Sequence, residues 1–230
     1  MICKASPLFA AALLACFLGG AAAAAQTETP ETPLQKQFHR LDLGITGVGM
    51  FNSTDTGPVI PLAANTGQSI TQYGSNTLGA LVSIGYTAKP YVGFEFNYGY
   101  ARYTENYTGA GSVVCCATSD FQIQTGADEI TLGYVAKPPH TIFGLQPYAG
   151  AGAGSIEFKP TAHGGEGAAK RARAVYYYSV GLQDEISPHF GLRLGVRQLF
   201  FLAPDFGLNY LTILKHASTF EPSAGFYLRY

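Results

Sequence analysis

Apolar and polar residues alternate with a period of two along most of the chain after residue 40. In the clearest segment one face carries Val92, Phe94, Phe96, Tyr98 and Tyr100, and the other carries Gly93, Glu95, Asn97 and Gly99. This period is typical of a β-strand, whose successive side chains point to opposite faces. Eight segments show it, at about residues 41–51, 77–86, 91–103, 121–135, 146–158, 173–185, 190–202 and 216–230. The pattern predicts an all-β fold with eight strands.

Short connections alternate with long ones between these segments. Strands two and three are joined by residues 87–90, strands six and seven by 186–189, and strands four and five by the Pro-rich stretch 136–145. The other four connections are longer, and they span residues 52–76, 104–120, 159–172 and 203–215. Short turns at one end, long loops at the other and an even strand count are typical of transmembrane β-barrels. We therefore expect residues 39–230 to form an antiparallel up-and-down barrel with both ends on the short-turn, periplasmic side.

The alternation alone also fits a soluble ligand-binding barrel, so the chemistry of the two faces has to decide. The less apolar face carries mostly Gly, Ser, Ala and isolated charges, whereas a water-facing strand normally carries Lys, Glu and Thr. Small residues suit the interior of an eight-stranded barrel, which is only wide enough for side chains to fill. Aromatic residues also lie near the predicted strand ends, as in the girdles at membrane interfaces. These features favour a barrel whose large apolar face contacts lipid.

Composition agrees with a membrane barrel. Charged residues make up 13 % of the chain, against about 25 % in soluble domains. After residue 25 no segment supplies the ~20 continuous apolar residues of a transmembrane helix, which leaves the closed barrel as the way to cross a bilayer. The net charge of −1 gives no reason to expect a nucleic-acid partner. The five histidines show no metal-ligand spacing, so neither a metal nor a cofactor is expected.

The first 25 residues have the pattern of a cleaved secretory signal peptide. Lys4 supplies the positive charge, residues 7–20 form a short apolar core, and residues 23–25 are the small alanines of a cleavage site. Lipoprotein processing is the alternative, because residues 13–16, which end at Cys16, resemble a lipoprotein cleavage box. Residues 26–38, rich in Thr, Pro, Glu and Gln, predict a flexible lead-in to the barrel.

Removal of the signal peptide leaves one adjacent cysteine pair, Cys115 and Cys116. Neighbouring Cα atoms lie ~3.8 Å apart, below the usual disulfide range of ~4.4–6.8 Å, so a bridge between the two residues would be strained. We expect a passive pair in a loop. A redox or intermolecular role is the alternative, because an exported protein passes through an oxidising compartment.

The last strand ends in a pattern of its own. Gly225, Leu228 and Tyr230 are a glycine, an apolar residue three positions later and a terminal aromatic residue two positions after that. This spacing resembles the assembly signal of bacterial outer-membrane barrels. Together with the signal peptide, the eight strands and the long loops, it makes residues 41–230 similar to the OmpA-type family of small outer-membrane β-barrels. The chain stops at the barrel, so the peptidoglycan-binding domain of OmpA is not expected.

The resemblance implies a location and a set of partners. A member of this family lies in the outer membrane of a Gram-negative bacterium, is inserted by the barrel-assembly machinery and contacts outer-membrane lipid and lipopolysaccharide. Its loops are where an extracellular ligand would bind. Three basic residues at the predicted outer rim are candidates for lipopolysaccharide phosphates, with an ordinary solvated loop as the alternative: Lys170, Arg171 and Arg173.

Five charged residues fall on the face predicted to line the lumen: Glu95, Glu129, Arg193, Arg197 and Glu221. An isolated ion in a narrow barrel costs several kcal/mol, so these charges have to pair. We predict a Glu–Arg network that plugs the lumen, and the alternative is a gate in a small passive pore. Asp128 has the outward parity beside Glu129, which a bulge at Gly126 or the edge of the bilayer would explain.

One pair of residues suggests an enzyme. His216 and Ser218 lie two apart on the outward face of the last strand, as in outer-membrane lipid A deacylases, which orient the histidine with a downstream glutamate. Here Thr219 replaces the expected Asn, and Glu221 has the opposite parity. We therefore expect no catalytic site, and a structural or cell-surface interaction role with a lipid A-modifying hydrolase as the weaker alternative.

Overall fold

The computed structural model describes residues 32–59, 69–109, 120–162, 164 and 168–229. The predicted signal peptide, the pair Cys115 and Cys116, and the terminal Tyr230 of the assembly signal lie outside the described residues. Within these ranges no helix is both long and apolar enough to cross a membrane.

In the described ranges, ten strands form a single antiparallel sheet. Their bounds are β1 Leu41–Asn52, β2 Thr54–Pro58, β3 Ser69–Gly74, β4 Thr77–Lys89, β5 Val92–Thr108, β6 Phe121–Ala136, β7 Gln146–Pro160, β8 Arg171–Ser187, β9 Phe190–Leu202 and β10 His216–Arg229. Strand β1 pairs with both β4 and β10, and β5 pairs with β6, so that eight strands close into a barrel. The predicted eight-stranded antiparallel barrel is confirmed, with strand bounds that differ by a few residues.

The first long connection contains more structure than the sequence predicts. Strands β2 and β3 pair with each other, and β3 pairs with the end of β5, where β4 no longer reaches. Strand β5 continues to Thr108, paired with β6 as far as Tyr107, so the barrel wall extends past β4 on this side. The prediction of a loop over residues 52–76 is wrong for these two strands. The reason is that β2 carries no large apolar residue on either face, so it lacks the alternation on which a prediction depends.

A short helix, α1 (Pro33–Phe38), precedes the barrel. Thr32 and Gln35 form a reciprocal capping box at its start, and proline occupies its first turn. The helix lies within the segment 26–38 for which the sequence predicts a flexible lead-in, and the difference arises because local capping outweighs the polar composition.

The two faces of the barrel wall have the expected character. Large apolar side chains cover the outside, and Leu78, Leu132 and Tyr134 are 84 %, 58 % and 62 % exposed. The inside mixes small residues with a few large ones. Tyr177, for example, packs against the paired glycines Gly133 and Gly152, where a side chain would collide with its ring.

We predict that Gly152→Ala destabilises the barrel by about 1–3 kcal/mol, as overpacking of a filled interior does. A methyl group there would collide with the Leu132 carbonyl oxygen, and it would lie 2.6 Å from Gly133 Cα and 2.7 Å from Tyr177 Cε1. The matched control is Gly126→Ala, whose methyl group would meet Tyr100 at an ordinary 3.5 Å. Urea unfolding of the refolded proteins measures both changes, and equal effects would show that the interior at Gly152 accommodates a methyl group.

Candidate functional site

The centre of the lumen is occupied by one arginine between two glutamates. Arg197 on β9 donates from Nη2 to Glu129 Oε1 on β6 and from Nη1 to Glu221 Oε2 on β10, the latter at 3.1 Å. All three side chains are buried. The ring of Tyr177 lies 4.7 Å from the guanidinium carbon, within range of a cation–π contact. This cluster ties β6 to β9 and β10 across the barrel.

A second cluster lies closer to the short turns. Arg193 Nη1 donates to Glu95 Oε2 on β5, and the rings of Tyr148 and Tyr227 lie 5.0 Å and 5.6 Å from its guanidinium carbon. Arg193 and Arg197 are four residues apart on the same strand, so they point to the same face. Each of the five residues predicted to line the lumen therefore has an ion-pair partner within the set. Arg193 and Glu95 form one layer, and the Arg197 cluster forms the other.

Several lumen residues were missed by the sequence reasoning. Lys137 pairs with Asp42 at 3.8 Å beside the short turns. Asp42 has inward parity on β1, which is a signal that the sequence contains. Lys137 lies just after β6 in the Pro-rich connection, where parity no longer predicts direction. The three tyrosines that stack on the arginines, Tyr148, Tyr177 and Tyr227, also have inward parity.

The end of the barrel with the long loops contains a cluster of buried apolar side chains. Residues 203–215 fold back over the opening and bury Phe206, Leu211 and Ile213. The ring of Phe158 lies 5.5 Å from that of Phe201 and 6.4 Å from that of Phe206. The sequence predicts only a long loop here, because alternation ends where the strands end. We call this apolar cluster the outer cap.

Asp205 holds the loop of the outer cap on strand β8. Its carboxylate is 2.9 Å from Arg171 Nε and 2.9 Å from Arg173 Nη2, and it accepts hydrogen bonds from Gly207 N and Thr212 Oγ1 at 3.2 Å each. Burial alone would raise the pKa of Asp205, but the Gly207 hydrogen bond and the two arginines hold it below its usual range. The structure thus pairs Arg171 and Arg173 with a protein carboxylate. Their contact with lipopolysaccharide phosphates stays a prediction.

Little space remains between these layers. A cavity beside Arg197, bounded by Val48, Leu81 and Ile156, measures about 10 Å³. That is about the space that a single water molecule requires. In the described part of the chain, side-chain clusters thus lie in the lumen at three levels: the Arg193 cluster, the Arg197 cluster and the outer cap.

Asp128 lies on the outside of the barrel, as its parity predicts. It accepts a hydrogen bond from Tyr98 Oη at 2.6 Å and pairs with Lys159 Nζ at 2.9 Å, while Lys159 also pairs with Glu157. Strand β6 keeps its register with β5 and β7 past Gly126, so the bulge hypothesis is wrong. Asp128 belongs to a polar group at the edge of the outer apolar band.

The residues of the hydrolase alternative are not brought together. Glu221 lies in the lumen with Arg197, whereas His216 is exposed on the outside and the backbone N of Ser218 donates to Ser53 Oγ. The assembly signal is partly described: Gly225 faces the lumen between Thr46 and Arg193, and Leu228 faces outward. Its role in assembly stays a prediction.

A closed eight-stranded antiparallel sheet with an apolar exterior and a charge-paired interior defines a transmembrane β-barrel of the outer-membrane kind. A family model described as the outer membrane protein beta-barrel domain matches residues 10–210, so the chain belongs to this family. The predicted resemblance to small outer-membrane barrels is therefore confirmed.

Two solved structures with similar folds are Neisserial surface protein A and OprG from Pseudomonas aeruginosa. The first has a TM-score of 0.52 at 13 % identity, over 83 % of this chain and 97 % of that one. The second has a TM-score of 0.54 at 12 % identity, over 82 % of this chain and 95 % of that one. At such identities the likeness concerns the fold alone. No curated protein matches this chain.

We predict that Arg197→Met destabilises the barrel by about 3–5 kcal/mol, because it leaves two buried carboxylates without their cation. Adding Glu129→Gln and Glu221→Gln should restore much of the loss, since the residual groups are then neutral. Urea unfolding measures all three proteins. Arg229→Ala is the control: it removes a partly exposed pair with Glu185, which should be worth less than about 1 kcal/mol. The prediction would be contradicted if Arg197→Met were as stable as the control Arg229→Ala.

The lowered pKa of Asp205 gives a pH dependence with a defined sign. The stabilisation by Asp205 is fully present above the unfolded pKa of about 4 and is lost as pH falls through the lower folded value. Asp205→Asn should therefore be less stable than wild type by about 1–3 kcal/mol at neutral pH and approach it in strong acid. Unfolding curves at a series of pH values test this, and a pH-independent difference would refute it.

Proposed function

We propose that this protein is a sealed, non-enzymatic outer-membrane β-barrel that acts as a structural or surface-interaction protein. In this proposal it is exported by a cleaved signal peptide, inserted by the barrel-assembly machinery and surrounded by outer-membrane lipid and lipopolysaccharide. The observation that carries the proposal is the filling of the lumen at three levels by paired charges, stacked tyrosines and apolar side chains.

The Arg197 and Arg193 clusters argue against a function as a passive pore. An ion or small solute that crosses the lumen would have to separate Arg197 from Glu129 or Glu221 and Arg193 from Glu95. Each separation leaves a buried charge without its partner, at a penalty of several kcal/mol. The outer cap adds a second barrier of different chemistry, because Phe158 and Phe206 would have to leave a packed cluster. A permanent plug accounts for both features better than a gate does.

The arrangement of the residues that resemble a hydrolase site argues against catalysis and supports a structural role. Glu221 already neutralises Arg197, so it is not available to orient His216 on the opposite face of β10. Without an acid partner, the histidine is a weak base for activating Ser218. We infer that His216 and Ser218 are polar residues at the start of a strand near the outer rim.

A barrel without an open lumen can still act by binding other molecules at its surface. Functional residues of barrels and sandwiches lie mostly in loops that a rigid wall positions. Here the β2–β3 hairpin and residues 203–215 build an ordered rim on the long-loop side, where Thr54, Thr56 and Tyr73 are exposed. We propose that this rim presents the contacts to an extracellular ligand.

Planar-bilayer recording of the refolded, lipopolysaccharide-free protein tests the plug. We expect no conductance above the leak of the bilayer for wild type. The double variant Arg193→Ala and Glu95→Ala removes a charge pair without leaving a lone ion, and it should stay closed because the Arg197 cluster and the outer cap remain. Stable ohmic conductance through wild type would contradict the proposal and favour the passive pore.

Mass spectrometry of lipid A from cells that express the protein tests the non-enzymatic assignment. We expect the number of acyl chains to be unchanged by expression of either wild type or Ser218→Ala. Loss of acyl chains with wild type that the variant abolishes would establish the hydrolase instead.

A further inference from the structure

Three side chains with oxygen atoms converge on the inner face of the β2–β3 hairpin, which we call the outer hairpin. Asp55 on β2 lies directly opposite Gln72 on β3, and Gln72 in turn donates from Nε2 to Glu105 Oε2 on β5 at 3.4 Å. These residues lie on three neighbouring strands with the same inward parity. Directly opposed residues have Cβ atoms about 5 Å apart, so the side chains share one space.

Glu105 lacks the compensation that a buried carboxylate needs. It is 3 % exposed, and among the described residues no cation pairs with it. Its one hydrogen bond is long, and the donor, Gln72 Nε2, also donates to Pro204 O at 3.0 Å and to Tyr107 Oη at 3.2 Å. Burial raises the pKa of Glu105 to about 7, against the effect of the Gln72 hydrogen bond and with a further contribution from Asp55. Every other glutamate in the described lumen has an arginine.

The side chain of Gln72 is an independent indication that a ligand binds next to Glu105. The side chain is 4 % exposed, and its carbonyl oxygen Oε1 is buried without a hydrogen-bond donor. A small cavity of about 10 Å³ adjoins it, and Asp55, Glu105, Ser53 and Pro204 also line this space. A cation bound in this cavity would satisfy both the orphaned acceptor and the uncompensated carboxylate.

The chemistry of the site selects the kind of cation. Its side-chain ligands are all oxygens, two carboxylates and one amide carbonyl, without imidazole or thiolate, which excludes the donor sets of zinc and copper. Mg²⁺ needs near-ideal octahedral geometry and gives up its water reluctantly, whereas Ca²⁺ accepts irregular sets of carboxylate and carbonyl oxygens. The site also lies on the long-loop side of the barrel, where Arg102 and Asp128 mark the end of the apolar exterior.

We propose that Asp55, Gln72 and Glu105 form a Ca²⁺ site that fastens the outer hairpin to the barrel wall. This inference goes beyond the proposed function, because a sealed surface barrel needs no metal. The cation would join β2, β3 and β5 at the place where the wall extends past β4. Since Gln72 and Tyr107 both donate to Pro204 O, the same cation would also steady the loop of the outer cap.

Terbium luminescence tests the site, because Tb³⁺ occupies oxygen-rich Ca²⁺ sites and is excited by nearby tyrosines. The chain has 15 tyrosines and no tryptophan, so energy transfer comes from tyrosine alone. The experiment uses the refolded, lipopolysaccharide-free barrel in detergent at about pH 8, above the pKa of Glu105. We expect saturable luminescence that Ca²⁺ displaces in the range of about 0.1–1 mM, the range of extracellular modules.

Glu105→Gln is the central variant, since it keeps the shape of the side chain and removes the charge. It should weaken Ca²⁺ displacement at least tenfold, and Asp55→Asn should do the same, while the control Asp128→Asn keeps wild-type affinity. Tb³⁺ binding unaffected by Glu105→Gln would overturn the site by showing that surface carboxylates bind the ion.

Urea unfolding supplies a readout that does not depend on luminescence. In EGTA, Glu105→Gln should be at least as stable as wild type, because an uncompensated buried charge is gone, and only wild type should gain stability from added Ca²⁺. No effect of Ca²⁺ on wild type up to about 10 mM, tenfold above the weakest extracellular sites, would overturn the proposal and show that a proton neutralises Glu105.

Discussion

A charge inside a narrow barrel has to be paired, and most of this structure follows from that constraint. Closing eight strands into a cylinder gives every strand hydrogen-bond partners for its backbone. It leaves a narrow interior that is only wide enough for side chains. Arg197 meets this demand with Glu129 and Glu221, and Arg193 with Glu95. The space for the tyrosine rings that stack on both arginines comes from glycines in the wall. Gly152 adjoins the ring of Tyr177 and Gly195 adjoins Tyr148, so these two glycines make room for the tyrosines that contact the arginines.

The long-loop side is closed by a different principle. There the aromatic rings of the outer cap pack together, and Asp205 holds the covering loop to Arg171 and Arg173. The described residues thus form a wall with paired charges inside it and a rim on the long-loop side. In the proposed function, contacts to an extracellular ligand lie on that rim, and Asp55, Gln72 and Glu105 lie in the same region.

Sequence alone predicted those parts of the fold that depend on alternation. The eight barrel strands follow from a period of two and agree with the structure. The same period predicts the inner face for Glu129 and Arg197, which form a buried ion pair. The β2–β3 hairpin and the outer cap were beyond reach, because their residues are positioned by contacts with distant strands. Gln72 shows the difference: its neighbours in the chain do not indicate that it meets Glu105 and Pro204.

The central claim is that Arg197 bridges two glutamates and closes the lumen in the membrane. Solid-state NMR of the barrel in lipid bilayers measures this most directly, through dipolar couplings between the guanidinium nitrogens of Arg197 and the carboxyl carbons of Glu129 and Glu221. The account predicts resolved couplings to both carbons and a rigid arginine side chain, in keeping with contacts such as the 3.1 Å bond to Glu221. A mobile arginine coupled to neither carboxyl carbon would contradict it.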